Sequence, residues 1–266
     1  MGKQEYCVTG GTGFIAAYLI KSLLQHGHTV RATVRDPGDE DKVGFLWELE
    51  GAKERLKLVK ADLLVPESFD DAVRGVDGVF HTASPVLVPY DDNIQESLID
   101  PCIKGTLNVL RSCSKSQTVK RVVLTSSCSS IRYRFDAQAA SPLDESNWTD
   151  LDYCKRGLRG ELPNTALGFV HIDDVVAAHV LAMEDTRASG RLVVSGSVAH
   201  WSEVIDMLRP KYPDYPYESK LSAQKGDSNP HSMDTSKIAQ LGFPPFKTLE
   251  QMFDDCIISF QQKGLL

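Results

Sequence analysis

The sequence predicts an α/β fold with a doubly wound parallel sheet, and three features support this prediction. A short apolar run that begins at Tyr6 ends in a glycine-rich turn, and an amphipathic stretch follows at once. Apolar runs of strand length then alternate with helix-like segments through the first half of the chain, as in βαβ units. Small and hydroxyl-bearing residues follow the later runs, at the positions where ligands bind in open α/β sheets.

The composition is ordinary for a globular protein with one large domain, or with one domain and an appendage. The 266 residues include 29 Lys and Arg against 36 Asp and Glu, and the net charge of -7 argues against nucleic-acid or membrane-surface binding. No apolar run is long enough to cross a membrane, and no secretory leader is recognisable. The six cysteines form no C-x-x-C pair, which indicates reduced thiols. We therefore expect a cytoplasmic protein.

The glycine-rich turn has the spacing G-x-x-G-x-x-A, from Gly10 through Gly13 to Ala16. Gly10 permits a tight turn, Gly13 lets a pyrophosphate approach the backbone, and Ala16 lets the helix pack close to the strand. The unpaired amides at the start of the helix, together with the helix dipole, favour an anion there. The turn therefore predicts a dinucleotide site, with a plain strand-to-helix turn as the alternative.

The second strand, Thr29–Val34, ends at a basic residue. Sites that prefer NAD place an Asp or Glu near this point to bind the ribose 2′-hydroxyl. This chain has Arg35 there, with Lys42 close behind, and positive charge suits a 2′-phosphate. The pattern predicts NADP rather than NAD. Asp36 beside Arg35 counts against this prediction, and an ordinary solvated arginine is the alternative.

The third and fourth strands also end in residues that suit a ligand site. Asp62 follows the strand Leu56–Val59, where its carboxylate could accept a hydrogen bond from an adenine amino group or cap the loop. The fourth strand, Gly78–Ser84, ends in small residues that leave room for a ligand. We interpret His81 as a packed strand residue rather than as a base.

The fifth strand, Val119–Leu124, leads into the hydroxyl cluster Thr125–Ser130. This cluster could polarise a carbonyl oxygen, or its hydroxyls could satisfy their own backbone. Later in the chain, His171 is followed by Asp173 and Asp174, which suggests a metal. No third ligand lies at a useful spacing, and acidic residues near a helix start usually cap it, so we expect no metal.

Residue spacing predicts further elements outside these strands. Helices are predicted over Asp41–Glu54 and Ile94–Cys113, and the second should face the core, with Pro101 at its start or at a kink. A strand is predicted over Arg191–Ser195. The last helix should begin with a capping box formed by Thr248 and Gln251.

Several of these segments resemble the extended short-chain dehydrogenase/reductase superfamily, and within it the plant dihydroflavonol reductase and cinnamoyl-CoA reductase group. They are Val8-Thr-Gly-Gly-Thr-Gly-Phe-Ile15, Val30-Arg-Ala-Thr-Val-Arg-Asp36, Ala61-Asp-Leu63, Val79-Phe-His-Thr-Ala-Ser-Pro85 and Leu124-Thr-Ser-Ser127. Three others look closest to tetraketide α-pyrone reductases: Phe169-Val-His-Ile-Asp-Asp-Val175, Val198-Ala-His-Trp-Ser202 and Asp254-Asp-Cys-Ile-Ile-Ser-Phe260. The resemblance covers nearly the whole chain. It implies a Rossmann sheet and an NADPH-dependent reductase of carbonyl compounds, such as the polyketide pyrones that feed pollen-wall sporopollenin.

The resemblance also implies roles for individual residues. The pyrophosphate would be held by Gly10, Gly13, Phe14 and Ile15. The 2′-phosphate would meet Arg35 and Lys42, and the adenine would border Asp62 and Leu63. The ribose and nicotinamide side would border Thr82, Ala83 and Ser84. Ser127 matches the catalytic serine that polarises the substrate carbonyl.

One motif of that superfamily is missing from the sequence. It is Tyr-x-x-x-Lys, in which the Tyr donates a proton, and the Lys binds the ribose and lowers the Tyr pKa. None of the tyrosines, at positions 6, 18, 90, 133, 153, 212, 215 and 217, has a lysine four residues later. Only 43 residues separate Ser127 from His171, and no long helix or buried strand is recognisable among them. A parallel strand needs a crossover helix, and a βαβ unit takes about 30 residues or more. The pattern predicts an internal deletion at Arg156–Gly157, from splicing or from a gene-model error.

The expected protein is therefore an NADP-binding Rossmann domain over 1–156, with a sheet that is incomplete after the fifth strand. Residues 157–266 would be a remnant of the substrate-binding side, plus a C-terminal strand and helices. The expected activity is reduction of a polyketide pyrone, dihydroflavonol or related carbonyl compound, with low turnover because the Tyr and Lys are absent. The alternatives are a non-catalytic NADPH-binding module, a truncated splice product and a chain that does not fold stably. A homodimer and pairing with a full-length relative both stay open.

Overall fold

The computed structural model describes residues 2–85, 93–153, 166–215 and 231–266. The chain divides into two compact units. Unit 1 comprises Met1–Thr125 and His179–Glu184, and unit 2 comprises Ser126–Ala178 and Asp185–Leu266. The junction predicted at Arg156–Gly157 lies outside the described residues, so the domain division at that point stays a prediction.

Unit 1 is built on a five-stranded parallel sheet. Its strands are β1 (Glu5–Thr9), β2 (Thr29–Val34), β3 (Leu56–Lys60), β4 (Gly78–His81) and β5 (Arg121–Leu124). The strand order is β3-β2-β1-β4-β5, so the chain winds outward from β1 in both directions. Val8 in β1 pairs with Ala32 on one side and with Phe80 on the other. This order confirms the predicted doubly wound α/β fold.

In the described part of unit 1, five helices that lie wholly in this unit pack around the sheet. They are α1 (Phe14–Gln25), α2 (Glu40–Trp47), α3 (Ala52–Arg55), α4 (Asp70–Val73) and α5 (Asp100–Lys115), and a π-helical turn over Gln95–Ile99 precedes α5. On one face of the sheet, Cys7 and Val79 pack with Val73 of α4 and Val109 of α5. Successive strand residues point to opposite faces, and α1 packs on β1 and β2. The carboxyl ends of the strands therefore meet at one edge of a firmly packed layer.

The helix predicted over Asp41–Glu54 is wrong as a single element. The structure has two helices there, and the second begins directly after Gly51. Gly51 has a φ of +78°, a left-handed conformation that interrupts a helix.

Helix α5 begins next to Pro101, as one of the two alternatives predicted. The prediction that this helix faces the core rests on the apolar residues at positions 94, 98, 99, 102, 103, 107, 110 and 113. It is wrong for most of them, because Cys113 is the one residue of this set that is buried. Ile99, Ile103, Leu107 and Leu110, the α5 stripe, are each between 40% and 53% exposed. Periodicity identifies an apolar face but not the element that covers it.

Strand β5 lies at one end of the sheet, and no strand among the described residues pairs with its outer edge. The side chains of β1 and β4 are almost all buried, whereas Leu124 of β5 is 50% exposed. Parallel sheets are normally covered on both faces and continue until a shielded edge. The described part of unit 1 therefore ends at a strand that is less buried than β1 and β4. The incompleteness of the sheet after β5 stays a prediction.

The described part of unit 2 contains helices and one antiparallel strand pair. Its elements are α6 (Ser129–Arg132), α7 (Ala137–Ala140), β6 (Ala166–Phe169), α8 (Ile172–Glu184, whose last six residues belong to unit 1), β7 (Ser197–His200), α9 (Trp201–Leu208), α10 (Ser236–Gln240) and α11 (Leu249–Gln262). The predicted capping box is present, since Thr248 accepts a hydrogen bond from the Gln251 amide and the Gln251 side chain accepts one from Thr248.

The strand predicted over Arg191–Ser195 is wrong, because those residues are not in a strand. The strand lies slightly later, where Phe169 of β6 pairs with Ser197 of β7. The apolar run at 191–195 is used differently, with Val193 buried in a small cluster beside Ile131 and Leu143. Among the described residues, no helix has the length and apolar content needed to cross a membrane.

Candidate functional site

The glycine-rich turn connects β1 to α1 in unit 1. Gly10 adopts a φ of +70°, which L side chains rarely tolerate. Its amide donates to Thr33 Oγ1 at 3.2 Å, and the Gly11 amide donates to the Thr33 carbonyl at 2.8 Å. The Gly13 amide donates to the Gly10 carbonyl at 2.8 Å. Hydrogen bonds from the backbone amides of Gly10 and Gly11 thus hold the turn against the end of β2.

The N-terminus of α1 has the features of an anion site. It has neither a side-chain cap nor an acidic residue in its first turn. Within the described part of the chain, the amides of Phe14 and Ile15 donate no hydrogen bond. These amides and the helix dipole are therefore available to a negatively charged group. Phe14 is 68% exposed, so among the described residues little packs over these amides.

Gly11 was not predicted as a site residue, although the structure gives it a tight position. A Cβ atom at Gly11 would lie 2.9 Å from the Cβ of Ala32, which is shorter than real Cβ contacts. A Cβ at Gly13 would lie 3.2 Å from the Gly10 carbonyl oxygen. The Gly10-Gly11 pair is the signal for this role, since one glycine supplies the left-handed turn and the next supplies the close approach to β2.

Arg35 and Lys42 differ in their surroundings. Arg35 is exposed directly after β2, and its guanidinium forms no hydrogen bond or ion pair with any described residue. Lys42 Nζ lies 2.5 Å from Asp39 Oδ2, and that carboxylate raises the pKa of Lys42. Arg35 is therefore the more available of the two predicted 2′-phosphate ligands.

The loop after β3 is organised by Asp62. Its Oδ1 accepts the Leu64 amide hydrogen at 2.8 Å, and its backbone carbonyl accepts the Ser68 hydroxyl. Leu63 packs against α5, where its carbonyl accepts the Asn108 side chain at 2.8 Å. The capping alternative for Asp62 is thus realised, and contact of Asp62 and Leu63 with an adenine stays a prediction.

The segment that follows β4 lies against the glycine-rich turn. The amides of Thr82 and Ala83 both donate to Thr9 Oγ1, at 3.1 and 3.0 Å. A Cβ atom at Gly10 would lie 3.0 Å from the Ala83 Cβ. The structure therefore brings together two predicted parts of the site, the pyrophosphate turn and the Thr82–Ser84 segment.

His81 is buried in β4, as its interpretation as a packed strand residue requires. It is 1% exposed, and its Nδ1 lies 2.8 Å from Thr9 Oγ1. Burial lowers the pKa of His81 from 6.5 to about 4. The ring is therefore neutral at physiological pH and does not act as a base there.

This burial predicts an acid-sensitive fold. Between pH of about 6.5 and about 4, the unfolded chain binds a proton at position 81 that the folded chain does not. The unfolding free energy should fall by a total of about 3 kcal/mol as the pH drops through this range. Denaturant unfolding at several pH values should show a weaker pH dependence for His81→Leu than for the wild type. Parallel curves for the two proteins would contradict the prediction.

Ser127 is exposed and belongs to unit 2. Its Oγ accepts the Ser129 amide hydrogen at 3.1 Å, so it shapes the start of α6. Two tyrosines of this unit lie near each other. The Tyr133 hydroxyl accepts a hydrogen bond from Arg132 at 2.7 Å, and the Tyr133 ring stacks on that of Tyr153. A catalytic role for Ser127 stays a prediction.

No group of side chains suited to a metal ion occurs among the described residues. Around His171, whose Nε2 lies 3.2 Å from Asp255 Oδ2, the ammonium of Lys247 contacts both Asp173 at 2.7 Å and Asp255 at 3.4 Å. The lysine occupies the position of a cation between these carboxylates. The cluster joins α8 to α11 in unit 2.

Comparison with known proteins agrees with this architecture. The model of the NAD dependent epimerase/dehydratase family matches residues 6–145. The chain is 59% identical over 320 residues to tetraketide alpha-pyrone reductase 2 of Arabidopsis thaliana, covering 99% of this chain and 100% of the relative. It is 36% identical over 313 residues to cinnamoyl-CoA reductase CAD2 of Medicago truncatula, covering 97% and 95%.

Two solved structures are also similar to this chain. Vestitone reductase from alfalfa superposes with a TM-score of 0.81 at 30% identity, covering 99% of this chain and 100% of that one. A yeast methylglyoxal/isovaleraldehyde reductase solved with NADPH has the same TM-score at 20% identity, which shows a common fold. Because these relatives are reductases, the predicted oxidoreductase class is confirmed. The chain belongs to the NAD dependent epimerase/dehydratase family.

Proposed function

We propose that this chain derives from an NADPH-dependent carbonyl reductase and retains the nucleotide-binding half of that enzyme. The observation that carries the proposal is the turn from Gly10 to Ile15, where helix α1 presents uncapped amides beside a close-packed glycine pair. A dinucleotide pyrophosphate matches this arrangement in charge and in hydrogen-bond geometry.

The choice of NADP over NAD rests on Arg35. Its exposed guanidinium follows β2 without a partner among the described residues. A guanidinium binds a phosphate with charge-assisted hydrogen bonds, whereas the ribose of NADH offers only a hydroxyl. Lys42, held by Asp39, would add charge at longer range.

The proposed reaction is reduction of a carbonyl group, for which bound NADPH would supply the hydride. Ser127 would donate a hydrogen bond to the substrate oxygen, and Thr82, Ala83 and Ser84 would line the nicotinamide side. The names of the relatives favour a polyketide pyrone, with cinnamoyl-CoA esters and dihydroflavonols as related substrates. A role in sporopollenin formation and a cytoplasmic location are further parts of this proposal.

We further propose that an internal segment is missing at Arg156–Gly157. The alignment with the Arabidopsis reductase spans 320 positions, which exceeds the 266 residues of this chain by 54. A whole βαβ unit takes about 30 residues or more, so a gap of this size has room for a crossover helix with a further strand. The outer edge of β5, with which no described strand pairs, and the exposed α5 stripe are the surfaces that such a unit would cover. Because the sequence contains no Tyr-x-x-x-Lys, the segment would have carried the proton donor.

The chain would then bind NADPH but turn over slowly. A positioned general acid contributes roughly 10²–10⁴ to a rate, and the loss of the ribose-binding lysine would add to this deficit. The second candidate is therefore a non-catalytic NADPH-binding module, free or paired with a full-length relative. It is favoured by the coexistence of an intact glycine-rich turn with an absent Tyr-x-x-x-Lys motif.

Thermal unfolding with each nucleotide tests the binding proposal. At 100 times its dissociation constant, NADPH should stabilise the folded chain by roughly 2.7 kcal/mol. Arg35→Ala should weaken NADPH binding about tenfold to hundredfold, since it removes hydrogen bonds to a charged group, and should leave NADH binding unchanged. Arg111→Ala, at an exposed arginine on α5, is the matched control. A transition that responds to neither nucleotide would reject the proposal, and equal losses for NADPH and NADH in Arg35→Ala would reject the assignment of Arg35.

A further inference from the structure

We propose that His81 is a positioning residue of the nucleotide site, which orients the Thr9 hydroxyl so that this hydroxyl holds the Thr82–Ala83 backbone against the glycine-rich turn. This inference rests on the proposed nucleotide-binding function. Neither side chain would need to touch the nucleotide. Their effect would pass through the two backbone segments that border it.

The Thr9 hydroxyl is the centre of the arrangement. It is fully buried at the end of β1, and it accepts the amide hydrogens of Thr82 and Ala83 at 3.1 and 3.0 Å. The Thr82 hydroxyl in turn donates to the Thr9 carbonyl. One threonine therefore anchors two consecutive residues of the neighbouring chain segment, just beyond the last pair of β1 with β4.

The donors and acceptors of this hydroxyl identify the role of His81. A hydroxyl has two acceptor lone pairs and one hydrogen. Both lone pairs of Thr9 Oγ1 are taken by the two amides, so its hydrogen must point to His81 Nδ1, 2.8 Å away. His81 then accepts at Nδ1 and carries its own hydrogen on Nε2. A neutral ring is required, which agrees with the low pKa of this buried histidine.

The Nε2 atom of His81 supports this reading. It is buried and has no hydrogen-bond partner within the described part of the chain. An unsatisfied buried donor destabilises the fold, and an apolar side chain at this position would avoid that cost. The contribution of the histidine is therefore the acceptor at Nδ1, which fixes the orientation of the Thr9 hydroxyl.

The anchor matters for the site because Thr9 directly precedes Gly10. The Ala83 backbone is so close to Gly10 that an added Cβ would lie 3.1 Å from the Ala83 Cα. Any shift of residues 82 and 83 would therefore change the space beside the pyrophosphate turn. Preorganised segments bind a ligand more tightly than segments that must be ordered on binding.

The test compares NADPH affinity and stability in matched variants. Thr9→Val removes the hydroxyl at nearly constant volume, and we expect about threefold to tenfold weaker NADPH binding. Thr9→Ser should restore the affinity. Ser112→Ala is the control, because it removes another buried hydroxyl that donates to Asp70 in the same unit. The control should lower the melting temperature without changing NADPH affinity, whereas unchanged affinity in Thr9→Val, or no rescue by Thr9→Ser, would overturn the inference.

A second measurement examines the hydrogen-bond network without nucleotide. The ¹⁵N chemical shifts of the wild-type His81 ring should show a neutral imidazole with its hydrogen on Nε2, and the opposite tautomer would overturn the inference. His81→Leu should weaken NADPH binding in the same direction as Thr9→Val. If the wild type binds no nucleotide, the proposed function fails, and the ring shifts still decide whether Thr9 and His81 form the network described.

Discussion

Insertion of the segment that we propose to be missing is expected to raise the rate of carbonyl reduction by about 10²–10⁴. The variant would carry, between Arg156 and Gly157, the residues of the Arabidopsis tetraketide alpha-pyrone reductase that align with no residue of this chain. The gain has two physical sources. By the proposal, the inserted segment would carry the motif tyrosine, which would donate a proton to the alkoxide as it forms. The motif lysine would lower the pKa of that tyrosine and bind the ribose.

The measurement is the initial rate of NADPH oxidation with a tetraketide pyrone as substrate. The control is the same insertion with the motif tyrosine replaced by phenylalanine, which restores the fold but not the proton donor. It should remain close to the parent chain in rate and approach the active variant in melting temperature. Equal rates for the parent and the insertion variant would contradict both the proposed deletion and the proposed loss of turnover.

Gly10→Val is expected to abolish NADPH binding at accessible concentrations and to lower the unfolding free energy by about 2–5 kcal/mol. Two effects combine at this position. The φ of +70° is strained for a β-branched residue, and the Cβ would lie 3.0 Å from the Ala83 Cβ, which the Thr9 hydrogen bonds hold in place. The new side chain would also project into the turn that receives the pyrophosphate.

Gly242→Val separates these effects, because Gly242 also has a positive φ, of +93°, yet an added Cβ there would meet no atom within 4 Å. The control should lose stability through backbone strain and bind NADPH normally. Isothermal titration and denaturant unfolding of both variants provide the two readouts. Retention of wild-type NADPH affinity in Gly10→Val would show that this turn is not the pyrophosphate site.

The strands of unit 1 could be predicted from the sequence because each is a short apolar run bounded by polar or glycine residues. The prediction failed where structure depends on distant contacts. The α5 stripe has the spacing of a buried face, yet spacing cannot show whether a covering element is present. The pairing of β7 with β6 likewise depends on residues distant in sequence. The sequence therefore predicts a strand at the apolar run 191–195, whereas the structure has it at Ser197–His200.

The site was predictable to a similar depth. Gly10 and Gly13 could be predicted as site residues because a tight turn and a close approach to the backbone both require glycine. Thr9 and His81 could not be found, since the importance of the Thr9 hydroxyl comes from amides more than 70 residues away. The sequence shows Asp39 and Lys42 as opposite charges three residues apart, but it does not show that they form an ion pair.

If the proposed segment is missing, the outer edge of β5, which no described strand pairs, and the α5 stripe would present to the cell the kind of surface by which chaperones and proteases recognise incomplete folding. The lifetime of the chain would then depend on the fraction of time that it spends folded, and a ligand that binds only the folded state increases that fraction. NADPH would act for this chain as a stabilising ligand before it acted as a reductant. The abundance of the protein would accordingly follow the cellular supply of reduced nucleotide.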